Sequence, residues 1–283
     1  MVEEIINFLN PQPGYVYIDA TCGTGHHSRA ILEYTNKGCT MICVDKDPRA
    51  IMRAQKYLAD FSGSVIFIND GFENIERIMQ ETGIKKANGI LFDLGFSSEQ
   101  ISDPEAGFGF RQDGPLDMRF DRNYGISAYD VVNRFSKEQL RRILFTFGEI
   151  KEAERIARLI CDERKKKFFE TTRELADFLA KNIRKRTGIH PATRVFQAIR
   201  IFVNRELENL ETALKGALNI LASGARIIVI SYHSLEDRIV KNFFKSEKRI
   251  NVLTKKPVVP GKIEKTMNPS ARSAKMRVGE VLP

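Results

Sequence analysis

The sequence predicts an α/β protein, a parallel sheet covered by helices on both faces and interrupted by a helical insertion. Three observations carry that expectation. Short apolar, β-prone runs alternate with helix signals before residue 100, the pattern of βαβ units. From about residue 106 to 204 the chain is helix-prone, with no convincing buried strand. A strand signal then returns at residues 225–230.

Taken in order, residues 15–18 form the first β-prone run, which ends at Asp19 and leads into a turn from Thr21 to Gly25. From Ser28, residues Ala30, Ile31, Leu32 and Tyr34 suit a helix. Residues 40–44 make a second strand ending at Asp45. Asp47 and Pro48 then open a helix with a capping side chain and a proline in the first turn. Residues 64–68 and 89–92 are the third and fourth strands, the last ending at Asp93. In the insertion, helices start at Ser127, Ser136 and Thr172, and both Ser136 to Gln139 and Thr171 to Glu174 resemble capping boxes. A helix over 205–221 and a turn at Ser223 and Gly224 precede the returning strand. The expected division is a discontinuous domain, 1–105 with 205–283, around an insertion at 106–204.

Charge follows the same boundaries. The 283 residues carry a net +9, yet residues 1–104 sum to −5, 105–205 to +8, 206–237 to −3 and 238–277 to +10. Two basic territories alternate with two acidic ones, which points to one unit for a small ligand and another surface for a polyanion. Apolar residues at 42% and charged residues at 29% suit a globular chain rather than a disordered one. No run approaches the roughly 20 apolar residues of a membrane-spanning helix. The acidic start, MVEEIINFLN, lacks the layout of a signal peptide. Cys22, Cys39, Cys43 and Cys161 form no CxxC pair, so reduced, mostly buried thiols in a cytoplasmic protein are expected.

The segment from Asp19 to Gly25 puts an acid at a strand end and two glycines in the turn into a helix. Glycines let a ligand approach the backbone, and the helix start offers free N–H groups. Asp45 ends the second strand 20 residues after Gly25, where a carboxylate can accept hydrogen bonds from two ribose hydroxyls. NAD and S-adenosylmethionine both use such a site. The NAD fingerprint wants a third glycine at position 28, which is Ser28 here. Asp19 would repel a pyrophosphate but could face the ammonium of a methionine moiety, so S-adenosylmethionine is the better fit. His26 and His27 are adjacent, about 100° apart on a helix, and make a poor chelate. No metal site is expected.

Further motifs make the chain resemble a known family. They are Asp93 to Gln100 (DLGFSSEQ), Pro104 to Phe110 (PEAGFGF), Gly114 to Arg119 (GPLDMR), Thr193 to Ile201 (TRVFQAIRI), Ser231 to Arg238 (SYHSLEDR) and Asn268 to Lys275 (NPSARSAK). Together they look like the RsmH (MraW) family, the S-adenosylmethionine-dependent small-subunit (16S) ribosomal RNA cytosine-N4 methyltransferases, over nearly the whole chain. The resemblance implies a class I methyltransferase (Rossmann-like) fold with a helical substrate-recognition insertion. It also implies cofactor contacts at Gly25, His26, His27, Asp45, Phe72, Asp93 and Gln100, and a ribosomal RNA partner within the assembled or assembling subunit. His26 stands where the family usually has glycine, and Tyr232 where phenylalanine is common.

The exocyclic amine of cytosine is a poor nucleophile, because its lone pair is conjugated with the ring. Acceptors that hold its N–H groups can turn the nitrogen towards a methyl donor. Asp93, at a strand end, and His233, just after the returning strand, are the expected catalytic residues, with a structural role as the other reading of His233. Glu236 and Asp237 could instead pair with Arg238 or nearby basic residues. Phe108 and Phe110 either pack or stack on a base. Basic runs at 164–167, at 181–186 and from Lys255 to Arg277 are expected to meet phosphates, and the tail is expected to cross the surface in extended form. Two alternatives are N4 methylation of a different RNA or of DNA, and a non-catalytic RNA-binding assembly factor.

Overall fold

The computed structural model describes residues 1–95, 103–122, 125–183 and 190–283. The chain forms two compact units, Met1–Gly95 with Leu207–Pro283, and Phe96–Glu206. The sequence placed these boundaries at 105/106 and 204/205.

The first unit opens with helix α1 (Val2–Leu9), strand β1 (Val16–Asp19), α2 (His26–Tyr34), β2 (Thr40–Asp45), α3 (Pro48–Tyr57), β3 (Val65–Asn69), α4 (Ile75–Thr82) and β4 (Ala87–Asp93). The second unit carries α5 (Ala128–Arg134), α6 (Lys137–Gly148), α7 (Ala153–Glu163), α8 (Thr172–Asn182) and α9 (Ala192–Asn204). The chain then continues through α10 (Glu206–Ile220), β5 (Leu221–Ser231), α11 (Ser234–Ser246), β6 (Ile250–Val252), α12 (Lys262–Met267) and β7 (Lys275–Val281).

Seven strands form one sheet in the order β3-β2-β1-β4-β5-β7-β6. Strands β1 to β5 run parallel, and β7 is antiparallel to both of its neighbours. Alternate residues of each strand feed opposite cores, as period-2 geometry requires. Ile18, Ile42, Ile90, Phe92, Ile227 and Val229 pack with α4, α10 and α11. Tyr17, Met41, Cys43, Leu91, Ile228 and Ile230 pack with α1, α2 and α3. Both faces are covered, which is why these strands read as continuous apolar runs.

The tail differs from its expected course. Residues 275–281 do not cross the surface. They form β7, between β5 and β6, with Met276 and Val278 fully buried. The basic residues Lys275 and Arg277 disguise this strand, because their partner Asp237 is remote in sequence. The turn at Ser223 and Gly224 survives as an irregularity within β5: Ala87 pairs with Leu221 but Gly89 with Arg226, and Gly224 has φ 77°.

The second unit has its own core, built from α5 to α9 around Val131, Leu140, Leu144, Ile156, Leu175 and Ile199. Ser127, Ser136 and Thr171 each close a reciprocal capping box, with Asp130, Gln139 and Glu174. Among its described residues no strand forms, and Pro115 and Thr171 make one isolated bridge.

Candidate active site

Strands β1, β2, β4 and β5 are parallel and end in Asp19, Asp45, Asp93 and Ser231 at one edge of the sheet. That edge is where open α/β sheets bind ligands. The turn after β1 uses left-handed conformations at Gly23 (φ 53°) and Gly25 (φ 88°), and Gly25 caps α2. The Gly23 N–H donates to Asp45 Oδ2 at 2.9 Å, and the Asp47 N–H to Asp45 Oδ1 at 2.9 Å. One carboxylate thus joins the turns after β1 and β2. Burial pushes the Asp45 pKa up to about 6, although both N–H donors act against it. Each oxygen keeps a further lone pair for an external donor.

Asp19 is only 1% exposed. Its Oδ2 accepts the Ser28 hydroxyl at 2.7 Å, and Ser28 Oγ in turn accepts the Cys43 thiol at 3.2 Å. Burial raises the Asp19 pKa, while His27 and Ser28 oppose the rise. This carboxylate braces the turn from within. It is committed to partners inside the chain rather than presented to a ligand's ammonium, as the sequence had suggested. Cys22, Cys39 and Cys43 are buried free thiols. A hydrogen bond with Cys43 and then burial push the Cys22 thiol far up, so it packs and does not react.

Asp93 is the focus of the site. Tyr232 donates its hydroxyl to Asp93 Oδ1 at 2.9 Å, and His27 Nε2 lies 3.3 Å from Oδ2. The Asp93 N–H donates to Thr21 Oγ1 at 2.7 Å, which ties the end of β4 to the turn after β1. Burial alone would lower the His27 pKa, but the carboxylates of Asp93 and Asp19 raise it. His27 Nδ1 is buried without a hydrogen-bond partner among the described residues. Burial, and then the negative charge of Asp93, push the Tyr232 phenol up, so it stays a donor.

The other expected contacts divide. His26 turns to α3, with Nδ1 3.2 Å from the Tyr57 hydroxyl and the two rings edge-to-face at 4.8 Å. Phe72 follows β3, half-buried and edge-to-face with Phe92 at 5.8 Å. Gln100 lies outside the described residues. His233 is the N-cap of α11: its Nδ1 accepts the Glu236 N–H at 3.4 Å, while Glu236 Oε2 accepts the N–H groups of His233 and Tyr232. His233 Nε2 stands 3.1 Å from Glu236 Oε1, outside hydrogen-bond geometry. Both nitrogens of this ring therefore face Glu236.

The sequence did not single out Thr21 or Tyr232 as partners of Asp93. Tyr232 could have been found from topology, since it directly follows β5, the strand beside β4.

The basic surfaces also divide. Arg164 donates to the Val132 and Phe135 carbonyls and is structural. Lys165, Lys166 and Lys167 stand against Asp162, Glu163 and Glu174 in exposed pairs. Asp237 pairs with the basic residues Lys275 and Arg277. Lys255 and Lys256 are exposed, with no acidic partner among the described residues. Residues 184–186 of the middle run lie outside the described residues. Phe108 is 8% exposed and packs on Phe120, and Phe110 is covered by His190 and Phe196. Both of these rings pack.

The chain's own atoms fit S-adenosylmethionine. A Cβ built on Gly23 meets no atom within 4 Å, so the turn opens onto space. Asp45 keeps acceptor capacity for a diol, and the Asp93 side chain is 24% exposed. The sheet order and this edge define the class: an S-adenosylmethionine-dependent methyltransferase of the class I fold.

Comparison with known proteins narrows the class. The chain belongs to the MraW methylase family, whose model matches residues 1–282. It is 43% identical to the ribosomal RNA small subunit methyltransferase H of Dehalococcoides mccartyi, covering 99% of this chain and 85% of that one. It is 44% identical to the protein of the same name from Sulfurihydrogenibium sp., covering 98% and 96%. Among solved structures, one from Clostridium thermocellum described as an rRNA-methylase aligns at TM-score 0.51 and 14% identity, over 99% of this chain and 95% of that one. A methyltransferase from Streptococcus mutans in complex with SAH aligns at TM-score 0.50 and 14% identity, over 99% and 97%. These two show the fold alone.

Proposed function

We propose that the protein transfers a methyl group from S-adenosylmethionine to the exocyclic N4 of a cytidine in 16S ribosomal RNA, in the cytoplasm, on the assembled or assembling small subunit. The family to which the chain belongs supports the reaction and the RNA. Among the described residues no helix is long and apolar enough to cross a membrane.

The observation that carries the chemistry is the doubly held, partly exposed Asp93 carboxylate. Its two partners fix the plane of the group, and each oxygen keeps a lone pair directed elsewhere. Such an acceptor holds an amine N–H, withdraws the nitrogen lone pair from ring conjugation and takes the proton released on transfer. When bound, S-adenosylmethionine supplies an electrophilic methyl group. Gly23, Gly25 and the start of α2 would hold its methionine end, with His27 and Asp93 beside it. Asp45 would hold the ribose hydroxyls, and Phe72 would lie against adenine. Gln100 completes the proposed contacts. His233 acts through the α11 cap, which holds Tyr232 and so Asp93. The target base leaves its stack to reach an acceptor at this depth. The unit containing α5 to α9 serves RNA recognition.

Mass spectrometry of ribosomal nucleosides from a deletion strain tests this reading. Loss of N4-methylated cytidine from small-subunit RNA, restored by the wild-type chain but not by Asp93→Ala, is the expected result. Unchanged N4 methylation in the deletion strain would overturn it.

A further inference from the structure

The helical unit carries an exposed ring that its own structure holds in place. Phe168 is 51% exposed, while Phe169 beside it is buried against Phe178. Two hydrogen bonds clamp this point of the chain: Asn133 Nδ2 donates to the Phe169 carbonyl at 2.8 Å, and the Phe169 N–H donates to Asn133 Oδ1 at 3.0 Å. Asn133 is itself buried. Arg164 fastens the preceding turn to the Val132 and Phe135 carbonyls. Phe168 and Tyr129 meet edge-to-face, their ring centroids 6.3 Å apart and their planes at 90°. Arg134 lies over that Tyr129 ring at 5.9 Å and is 69% exposed.

Cations lie close to this ring along the chain. Lys165, Lys166 and Lys167 precede it in sequence and are 71–75% exposed, and Arg134 flanks it through Tyr129. Their acidic partners hold them in exposed pairs, which a phosphate can replace at little cost. An aromatic face with adjacent mobile cations is how proteins hold unpaired nucleotides, by stacking the base and pairing the phosphates. Phe145 offers a contrast: it is 60% exposed, but no ring or cation contact braces it among the described residues.

We propose that Phe168, braced by Tyr129, is a stacking platform for an unpaired nucleotide of the RNA substrate, with Arg134, Lys166 and Lys167 holding its phosphates. The platform deepens the RNA reading above and rests on it. It uses none of the residues that hold Asp93, so its loss is read in affinity for RNA rather than in the rate of transfer.

The test uses the full-length chain and a single-stranded oligoribonucleotide carrying 2-aminopurine, whose fluorescence is quenched on stacking. Phe168→Ala is expected to weaken binding roughly tenfold to a hundredfold and abolish the quench. Phe168→Trp keeps both, and Phe145→Ala leaves both unchanged. Lys166→Gln with Lys167→Gln lowers the salt slope of binding by about 1.4, near 0.7 for each phosphate that is no longer neutralised. With small subunits as substrate, Phe168→Ala raises KM and leaves kcat unchanged. Wild-type affinity and quench in a folded Phe168→Ala protein would overturn the platform, as would an equal loss in Phe145→Ala. A wild-type chain that binds and quenches the oligonucleotide but methylates no small-subunit RNA would instead overturn the substrate reading and leave the platform standing.

Discussion

The Tyr232 hydroxyl donates to Asp93 Oδ1 at 2.9 Å, linking the residue after β5 to the last residue of β4. The same carboxylate meets His27 through its other oxygen, so its orientation is fixed from two sides. Tyr232→Phe removes one of these two supports and leaves a partly buried oxygen unpaired. A hydrogen bond to a charged group contributes about 1.5–3 kcal/mol, and partial exposure of Asp93 reduces that. We expect a stability loss of about 1 kcal/mol by urea titration and a fall in kcat of less than tenfold. Asp93→Ala should abolish transfer. Equal loss of activity in the two variants would show that Tyr232 does more than position Asp93.

Asp45 gives two opposite pH dependences. Burial raises its folded-state pKa from 3.8 to about 6, so the folded apo protein binds this proton more tightly than the unfolded chain. Through this group the apo protein loses stability as pH rises from about 4 to about 6, and is level above that. With Asp45 as the proposed ribose acceptor, cofactor binding requires its ionised form, and affinity should fall as pH drops below about 6, up to tenfold per unit. Calorimetric titration between pH 5 and 8 checks the second dependence, and thermal melts of wild type against Asp45→Asn check the first. An affinity flat across pH 5 to 7 would argue against Asp45 as the ribose acceptor.

The two turn glycines should fail in different ways. Gly25 has φ 88°, and an added Cβ would stand 3.0 Å from Leu58 Cδ1. Gly25→Ala therefore strains the start of α2 and should cost about 1–2 kcal/mol of stability. At Gly23, φ 53° brings the same left-handed strain, but the added Cβ meets nothing in the chain. It occupies the space beside the turn, so Gly23→Ala should lower cofactor affinity more than it lowers stability. Differential scanning calorimetry with a cofactor titration on each variant separates the two effects.

Much of the sheet edge was legible because three of its strands, β1, β2 and β4, end in a charge. Asp19, Asp45 and Asp93 close apolar runs, and period-2 burial on both faces leaves few readings for such runs. The capping boxes at Ser136 and Thr171 were legible because each is complete within four residues, whereas Ser127 was read only as a helix start and the box between His233 and Glu236 was not read. What stayed hidden depends on long-range pairing. Strand β7 was masked by Lys275 and Arg277, whose charges are neutralised by Asp237 on α11. The partners of Asp93 were hidden too, because Tyr232 meets it only once β5 lies beside β4. Asp19 looked like a ligand contact and proved to be an internal brace, a difference set by burial and not by residue type.

The charge of the tail is now unequal along its length. Lys255 and Lys256 are exposed without an acidic partner among the described residues, whereas Lys275 and Arg277 are engaged by Asp237. Lys255→Glu with Lys256→Glu should weaken RNA binding and reduce its salt slope, with cofactor affinity unchanged. Filter binding at several salt concentrations measures the slope. A slope equal to that of wild type would remove these lysines from the RNA surface.

The pair Asp237–Arg277 should matter for folding instead. The Arg277 Nε donates to Asp237 Oδ1 at 2.6 Å, and the side chains are 8% and 14% exposed for Arg277 and Asp237 respectively. Burial alone would raise the Asp237 pKa, but Arg277 and Lys275 outweigh it and hold the carboxyl below its usual range. The stabilisation is therefore full above the unfolded-state pKa, near 4, and is lost as pH falls through the lower folded value. Asp237→Asn leaves Arg277 in β7 buried without a counter-charge, which typically costs about 3–5 kcal/mol. The variant should melt well below wild type at pH 7, and the gap between the two should narrow in acid. Because β7 lies between β5 and β6, the loss should appear first as faster amide exchange in β6 and β7. A wild-type melting temperature at pH 7 would mean that α11 and β7 are held together by their apolar contacts alone.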